Sequence, residues 1–217
     1  MLNCYIKNTP SLSKIILNYG KKYLQNIDHL AIRTFEPEKM DKIFRQQKYK
    51  KMDDLYFFPQ HKACATWYKT NSEIPRIFMS SYLGAHYDVF DVEKIQKYRN
   101  EGLKYGDYLE LQKKNQYLAW TLLFPNKVNH LAFTVENLHQ FCDVLEKDNF
   151  LLNNRENPIQ ISKDGLLKQA SIVADKVDYQ FLDGLYKVPY GFVEFVERYR
   201  DGFEQENANK IFDSTKA

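Results

Sequence analysis

The chain has 217 residues, of which 44% are apolar and 27% are charged, a composition typical of a folded globular protein and not of a disordered one. Its formal net charge is only +3, from 31 basic and 28 acidic residues, and the lysines are scattered along the chain. This distribution does not favour nucleic acid as a partner. The sequence contains no run of about 18 apolar residues, so no membrane span is expected.

Three widely separated cysteines, Cys4, Cys64 and Cys142, form neither a CxxC pair nor a zinc-type spacing. An odd number of such thiols is typical of a protein from a reducing compartment. The N-terminus contains no apolar stretch followed by a small-residue cleavage site. We therefore expect a cytoplasmic protein, and the sequence leaves its oligomeric state open.

The first half of the chain predicts a helix followed by a β-α-β-β-β unit. The stretch 11–24 begins with a capping serine and carries leucine and isoleucine at helical spacing. The strand "DHLAIRTF" follows, and then an amphipathic helix with acidic residues in its first turn. Three short aromatic or β-branched runs, "LYFFP", "KACATWYKT" and "PRIFMSSYL", complete a unit at about 26–84.

A charged helical segment at about 91–119, interrupted by Gly102 and Gly106, is expected to link this unit to a second one at about 127–200. The second unit begins with the strand "KVNHLAFTV", continues with an amphipathic helix and short strands, and ends with the strand in "VPYGFVEFVERYR". The polar tail that follows is expected to pack only loosely.

An internal repeat relates the two units. The stretches "DHLAIRTFEPEKMDKIF" and "NHLAFTVENLHQFCDVL" both contain a polar residue, His, Leu, Ala and a hydrophobic residue, followed by the polar start of an amphipathic helix. They lie about 100 residues apart. We therefore predict an α+β fold in which residues 1–217 form one domain, built from two β-α-β-β-β units and extra helices.

The repeat places one histidine at the same position of each unit. Side chains alternate along a strand, so His29 and Arg33 share the small, polar face of the first strand, and His130 lies on the corresponding face of the repeat strand. On the last strand, Glu194 stands between two apolar residues that point the other way. A carboxylate in a buried strand needs a partner.

Two imidazoles and one carboxylate are the set that holds a divalent transition metal with open positions, as in non-haem Fe(II) oxygenases. Zn, Mn, Co or Ni can also bind to such a set. Because His29, His130 and Glu194 are far apart in the chain, only the repeat argues that they converge. The alternative is that each histidine is an ordinary core residue and that Glu194 faces water on a plain β-sandwich strand.

Two arginines and one tyrosine are further candidates. Arg33 can clamp a substrate carboxylate with two hydrogen bonds, or it can form a structural salt bridge with Asp28 or a helix carboxylate. Arg198, on the Glu194 face, can be a second cation for substrate or a surface partner of a nearby glutamate. Tyr190 precedes the last strand and can hydrogen-bond a ligand. The remaining histidines, His61, His86 and His139, show no comparable pattern.

Paired β-α-β-β-β units with a histidine at the start of each and a glutamate on a last strand resemble the vicinal oxygen chelate, or glyoxalase-like, superfamily. More narrowly, the motifs "DHLAIRTF", "PRIFMSSYL", "VNHLAFTV", "VADKVDYQFLDG" and "PYGFVEFVERYRDGFE" are similar, in this order, to the DUF1338 family over roughly 26–213. That family is known through 2-oxoadipate dioxygenase/decarboxylase, an Fe(II) enzyme that converts 2-oxoadipate to 2-hydroxyglutarate in lysine catabolism.

The resemblance implies a curved sheet around a metal pocket, with His29, His130 and Glu194 as metal ligands and Arg33 as the binder of a substrate carboxylate. These four residues would be the catalytic ones, and the partners would be a 2-oxo dicarboxylic acid and dioxygen. Two other functions stay open. One is a metal-dependent isomerase or lyase of the same superfamily, and the other is a non-catalytic module that binds a small molecule in the same cavity.

Overall fold

Each half of the chain contributes four strands to one curled, eight-stranded sheet. The computed structural model describes residues 2–57, 59–71, 73–84 and 89–212. The strands are β1 Leu24–Thr34, β2 Lys50–Phe57, β3 Ala63–Lys69, β4 Arg76–Tyr82, β5 Lys127–Val135, β6 Gln160–Ile161, β7 Leu167–Ser171, β8 Lys176–Phe181, β9 Gly184–Pro189 and β10 Phe192–Arg198. The helices are α1 Leu2–Asn8, α2 Pro10–Tyr19, α3 Pro37–Gln46, α4 Val89–Glu101, α5 Tyr105–Lys114, α6 Gln116–Leu123, α7 Leu138–Lys147 and α8 Gln205–Ile211.

The two units meet at the centre of the sheet, where β1 and β5 pair antiparallel in the strand order β2-β3-β4-β1-β5-β10-β7-β6. On one side β4 runs parallel to β1, and on the other side β10 runs parallel to β5. The halves β1-α3-β2-β3-β4 and β5-α7-β6-β7-β10 therefore have the same topology. This confirms the predicted α+β fold of two β-α-β-β-β units, with one addition. The hairpin β8–β9 is inserted before the last strand and forms its own small sheet.

The alternation of side chains on β1 places Ile32 on the outer face of the sheet and His29 and Arg33 on the inner face. Ile32 belongs to the main core, to which α3 and α7 contribute the buried rings of Phe44 and Phe141. Phe141 meets Phe195 of β10 edge-on, with 4.8 Å between the ring centroids. Burial of a side chain of this size contributes about 1.5–3 kcal/mol. The helices α3 and α7 thus cover the outer face, and His29 and Arg33 lie on the inner face beside a second apolar cluster.

The N-terminal helix that the sequence predicts over 11–24 is shorter in the structure. Two helices, α1 and α2, precede the sheet, and α2 ends at Tyr19, where Gly20 caps it by donating its N–H to the Ile16 carbonyl. A Cβ on Gly20 would lie 2.5 Å from that carbonyl oxygen, so glycine permits the close approach. The chain is already extended at Leu24, where β1 begins.

The helical linker predicted at about 91–119 consists of α4, α5 and α6, and it extends to Leu123. Gly102, with a φ of 89°, lies in the break after α4, as a glycine past a helix end commonly does. Gly106 is different, because it lies within the first turn of α5.

The prediction that the tail packs loosely is wrong for residues 201–212. Phe203, Ala208, Ile211 and Phe212 are all buried, and three of them join a second apolar cluster on the inner face of the sheet. α8 is only seven residues long, which is too short for its apolar positions to show a clear helical period. The burial of this segment depends on a cavity that only the folded sheet creates.

Candidate metal centre

The residue before each candidate metal-binding histidine is a β-bulge. The pairing of β1 with β5 shifts register on both strands, and the extra residue next to each histidine is Asp28 on β1 and Asn129 on β5. Neighbouring side chains of a regular strand point to opposite faces, whereas a bulge changes the direction of a side chain. Each bulged residue can therefore reach the ring of the histidine that follows it, His29 or His130.

The structure brings His29, His130 and Glu194 together, all three buried, on the inner face of the sheet. His130 Nε2 lies 3.4 Å from His29 Nε2 and 3.0 Å from Glu194 Oε2. His29 Nε2 lies 3.7 Å from Glu194 Oε2. Two ligand atoms that each lie about 2.1 Å from one ion at a right angle are about 3 Å apart. The three atoms can therefore share one ion and leave its other side open.

Hydrogen bonds orient both imidazoles. His29 Nδ1 lies 2.8 Å from Asp28 Oδ1, and His130 Nδ1 lies 3.1 Å from Asn129 Oδ1. Because both partners are acceptors, we assign the ring proton of each histidine to Nδ1. The Nε2 lone pairs then point at the centre, as metal ligation requires.

Glu194 completes the donor set with one oxygen. Gln169 of β7 donates to Glu194 Oε1 at 2.7 Å, and Oε2 faces the histidines. Among the residues that the structure describes, none donates a hydrogen bond to Oε2. A buried carboxylate oxygen without a donor is costly beside two imidazole lone pairs. This donor chemistry fits a divalent transition metal.

The protonation states suit a cation. Burial lowers the pKa of His130 to about 4, although Glu194 opposes this shift, so the ring is neutral at pH 7. Burial alone would raise the pKa of Glu194, but the two imidazoles and Gln169 lower it. The pKa of Asp28 also falls well below its usual range, because its hydrogen bonds and charge interactions outweigh its burial. A neutral His130 imidazole and the ionised carboxylates of Asp28 and Glu194 therefore lie at the centre.

The segment 203–212 covers this centre. Phe203 packs edge-on against the His29 ring, with 4.9 Å between centroids, and Phe212 lies against the guanidinium of Arg33. The cavity that remains beside the three ligand residues measures about 10 Å³, which is room for about one water. This covering segment keeps the centre out of bulk water.

Arg33 lies on the same face of β1 as His29 and is buried. Its guanidinium carbon lies 4.9 Å from the ring centroid of Tyr117 and 5.0 Å from that of Trp120, both on α6. Cation–π contacts with these two rings stabilise the charged guanidinium. The charge of Arg33 also contributes to the low pKa of His130, so Arg33 lies within electrostatic reach of the centre.

Arg198 lies behind His29. It donates to both carboxylate oxygens of Asp28, at 2.7 and 2.9 Å, and also to the carbonyl of Gly202. Arg198 is not among the described residues that line the cavity. Arg198 thus binds Asp28, which the sequence offered as an alternative partner of Arg33, and its contact with substrate stays a prediction.

Tyr190 packs in the main core beneath α1 and α6. Its hydroxyl lies 3.7 Å from the Cys4 thiol, and its carbonyl accepts from Trp120 Nε1 at 2.6 Å. Its contact with a ligand stays a prediction. Of the remaining histidines, His61 is buried and His86 lies outside the described residues.

Sequence reasoning missed several residues around the centre. Asp28 and Asn129 precede the two histidines in both copies of the repeat, and this shared polar position was the signal that could have found them. Gln169 gave no such signal, because its contact with Glu194 depends on the pairing of β7 with β10. Phe203 was not predicted because it lies in the polar tail, which was expected to pack only loosely.

A curled sheet of paired β-α-β-β-β units, with two histidines and a glutamate converging on its inner face, defines a protein of the glyoxalase-like class. A family model described as 2-oxoadipate dioxygenase/decarboxylase matches residues 89–198. The chain is 30% identical to the chloroplastic 2-oxoadipate dioxygenase/decarboxylase of Arabidopsis thaliana, over 87% of this chain and 67% of that protein. It belongs to the 2-oxoadipate dioxygenase/decarboxylase family.

Two solved structures are similar to this chain. The crystal structure of the hydroxyglutarate synthase from Oryza sativa, in complex with 2-oxoadipate, superposes with a TM-score of 0.88 at 26% identity, and covers 99% of this chain and 89% of that chain. A glyoxalase-superfamily protein from Ralstonia eutropha JMP134 superposes with a TM-score of 0.75 at 18% identity, over 92% of this chain and 80% of that chain. The second likeness concerns the fold alone.

Proposed function

We propose that this protein is an iron-dependent dioxygenase/decarboxylase that acts on a 2-oxo dicarboxylic acid of the 2-oxoadipate type. The overall reaction joins 2-oxoadipate and dioxygen and gives 2-hydroxyglutarate and carbon dioxide. The observation that carries the proposal is the convergence of His29, His130 and Glu194, whose ligand atoms all lie within 4.8 Å of one another. The family to which the chain belongs bears this activity in its name.

Fe(II) is the proposed metal, held by His29, His130 and Glu194. An open-sided set of two histidines and one carboxylate is typical of non-haem Fe(II) oxygenases, and Zn, Mn, Co and Ni are the alternatives. When bound, iron supplies the redox chemistry by which dioxygen oxidises the 2-oxo acid. The protein side chains contribute neutral nitrogen ligands and one negative charge, which partly balances that of the cation.

Arg33 is proposed to bind the distal carboxylate of the substrate. It lies four residues beyond His29 on the same face of β1, a separation of roughly 13 Å along a strand. A diacid that binds the centre with its 2-oxo acid end therefore extends its other end towards Arg33. The guanidinium can hold a carboxylate with two parallel hydrogen bonds.

The aromatic wall is proposed to exclude water during the reaction. Phe78 and Phe203 line the cavity beside the ligands, and Phe212 lies between the cavity and Arg33. A dry site strengthens the electrostatic hold on both carboxylates and protects reactive species from water. Since the cavity of about 10 Å³ is smaller than a diacid, the covering segment must shift when substrate enters.

A reducing compartment such as the cytoplasm remains our proposal for the location, and lysine catabolism remains the proposed context. Cys4, Cys64 and Cys142 are all free thiols, which supports a reducing environment. The Arabidopsis relative is named as chloroplastic. Within the described ranges, no helix combines the length and the apolar character needed to cross a membrane.

Oxygen uptake tests the proposal. Purified protein loaded with Fe(II) is given a panel of 2-oxo acids, and dioxygen consumption is measured together with carbon dioxide release. We expect 2-oxoadipate or a close dicarboxylic relative to support both in equal amounts, and His130→Ala to abolish them. His139→Ala is the matched control, because His139 is exposed in the first turn of α7.

The same experiment separates the rival functions. If no 2-oxo dicarboxylic acid supports oxygen uptake, the assignment is wrong. Turnover without oxygen consumption would indicate a metal-dependent isomerase or lyase. Purified protein that contains no metal and takes up none would indicate a binding module.

A further inference from the structure

We propose that Asp28 and Arg198 form a positioning pair that fixes the tautomer and direction of His29, and that the β-bulge at Asp28 exists to build it. Asp28 Oδ1 accepts from His29 Nδ1 at 2.8 Å. Arg198 Nε and Nη2 bind the two oxygens of the same carboxylate at 2.7 and 2.9 Å. The inference rests on the proposed metal centre, but not on its oxygenase activity.

The pair is buried, its two charges oppose each other, and Arg76 adds a longer contact of 3.5 Å to Asp28 Oδ2. The side chain of Asp28 is 1% exposed and that of Arg198 is 6% exposed. A buried carboxylate and guanidinium are tolerated when their remaining polar atoms are also bonded. Arg198 meets this condition through the carbonyls of Arg200 and Gly202. The carboxylate is therefore held in one orientation before any ion arrives.

The pair spans the central strands of the sheet. Asp28 lies on β1 and Arg198 on β10, and β5 runs between these two strands. β10 also carries Glu194, four residues before Arg198. β10 thus supplies one proposed metal ligand, Glu194. It also orients a second, His29, because Arg198 of the same strand binds Asp28. This coupling fixes the separation between His29 and Glu194.

The two histidines occupy equivalent positions in the repeat but have chemically different partners. His130 Nδ1 faces the neutral amide oxygen of Asn129 at 3.1 Å, whereas His29 Nδ1 faces the carboxylate of Asp28. A negatively charged acceptor makes the imidazole a more basic ligand, and loss of such a partner commonly costs about 10–100-fold in metal affinity. We therefore expect His29 to depend more strongly on its partner than His130 does.

Arg198 also connects this pair to the covering segment. Besides the bond to the Gly202 carbonyl, its guanidinium carbon lies 5.1 Å from the ring centroid of Phe203, the residue that packs on the His29 ring. The same side chain therefore contacts the partner of His29 and the residue that covers it. A substitution of Arg198 should affect both the affinity for metal and the exposure of the centre.

Metal affinity measured on the apoprotein tests the pair. The variants are Asp28→Asn, which keeps an acceptor but loses the charge, and the double variant Asp28→Asn/Arg198→Gln, which leaves no unpaired charge behind. Each is titrated with Fe(II) or Co(II) against a competing chelator, and the melting temperature of the apoprotein is recorded. Asn129→Ala and Asp178→Asn are the matched controls, since Asp178 is exposed and pairs with Lys187 within the hairpin β8–β9.

We expect both Asp28 variants to lose about 10-fold or more in metal affinity, which is the range for partners of ligating histidines. Asn129→Ala should lose less, and Asp178→Asn should change by less than twofold. The double variant should keep the melting temperature of the apoprotein, which separates positioning from folding. Wild-type affinity in the double variant, or an equal loss in Asn129→Ala, would overturn the inference. Metal binding without oxygen uptake in the wild type would refute only the proposed function.

Discussion

His29 Nε2 lies 3.4 Å from His130 Nε2, although 101 residues separate them in the chain. The antiparallel pairing of β1 with β5 explains this meeting, because His29 pairs with Ala132 and His130 pairs with Ala31. A small side chain opposite each histidine leaves room for the two rings to turn towards each other. The repeat thus places a ligand on each central strand, and their pairing brings the ligands together.

Replacement of the carboxylate ligand should separate metal binding from folding. Glu194→Gln removes the negative charge but keeps an oxygen that can accept from Gln169. Loss of a residue that only hydrogen-bonds a metal ligand costs up to about 100-fold in affinity. Because Glu194 is itself a proposed ligand, we expect metal affinity to fall by at least that factor. The apoprotein should melt at the wild-type temperature or above it, because an ionised group without a donor on Oε2 is no longer buried. Calorimetry and metal titration measure the two effects.

Glu197→Gln is the control for that substitution. Glu197 lies on the same strand, accepts from the Leu138 N–H and pairs with Lys168 at 2.5 Å. Its replacement should lower the melting temperature and leave metal affinity unchanged. A loss of affinity in Glu197→Gln equal to that in Glu194→Gln would show that the charge of β10, and not direct ligation, matters.

Arg33 should determine the preference for dicarboxylic substrates. Arg33→Met is expected to lower kcat/KM for 2-oxoadipate by an amount worth about 2–5 kcal/mol, the range for loss of one partner of a buried charge pair. The matched substrate is 2-oxohexanoate, which has the same chain length but no distal carboxylate. Its turnover should change little. An equal fall for both substrates would assign Arg33 a general role in folding or in the metal centre.

The covering segment should shift when substrate binds. Phe203 and Phe212 lie over His29 and near Arg33 respectively, so a diacid that joins these two points must displace them. Hydrogen exchange of the amides of 203–212 should therefore change when 2-oxoadipate is added to the metal-loaded protein in the absence of dioxygen. The central strand β5 serves as the internal control. Unchanged exchange in 203–212 would mean that substrate reaches the centre by another path.

The outer face should carry much of the stability. Phe141→Ala is expected to lower the free energy of unfolding by about 3–5 kcal/mol, because the ring has no exposed surface and packs against Phe195 and Tyr19. Leu17→Ala, at a residue that is 85% exposed, should change it by less than about 0.5 kcal/mol. Denaturant unfolding of both variants measures the difference. Similar values would contradict the assignment of the main core.

The local and repeated features of this fold could be predicted from the sequence. The predicted strand 127–135 matches β5 at both ends, because a short run rich in β-branched and aromatic residues and the flanking helix start define it locally. The two histidines were found because two histidines at the same position of both repeats are unexpected by chance. The convergence of His29, His130 and Glu194 follows from topology, and their role as metal ligands stays a prediction.

Features that depend on pairing between distant strands were not accessible to sequence reasoning. The bulges at Asp28 and Asn129 are set by the register of β1 on β5, and no local pattern encodes that register. The bond from Arg198 to Asp28 joins residues 170 positions apart, so charge alone suggested a ligand contact instead. The tail looked polar because only a few of its residues are apolar, and those few are buried against the folded sheet.

The most direct measurement of the central claim is a crystal structure of the iron-loaded protein, recorded at the iron absorption edge under anaerobic conditions. A single anomalous peak is expected about 2.0–2.2 Å from His29 Nε2, His130 Nε2 and Glu194 Oε2, the distances usual for such ligands. The opposite side of the ion should be open to 2-oxoadipate. A peak elsewhere in the protein, or one that lacks any of these three contacts, would contradict the account.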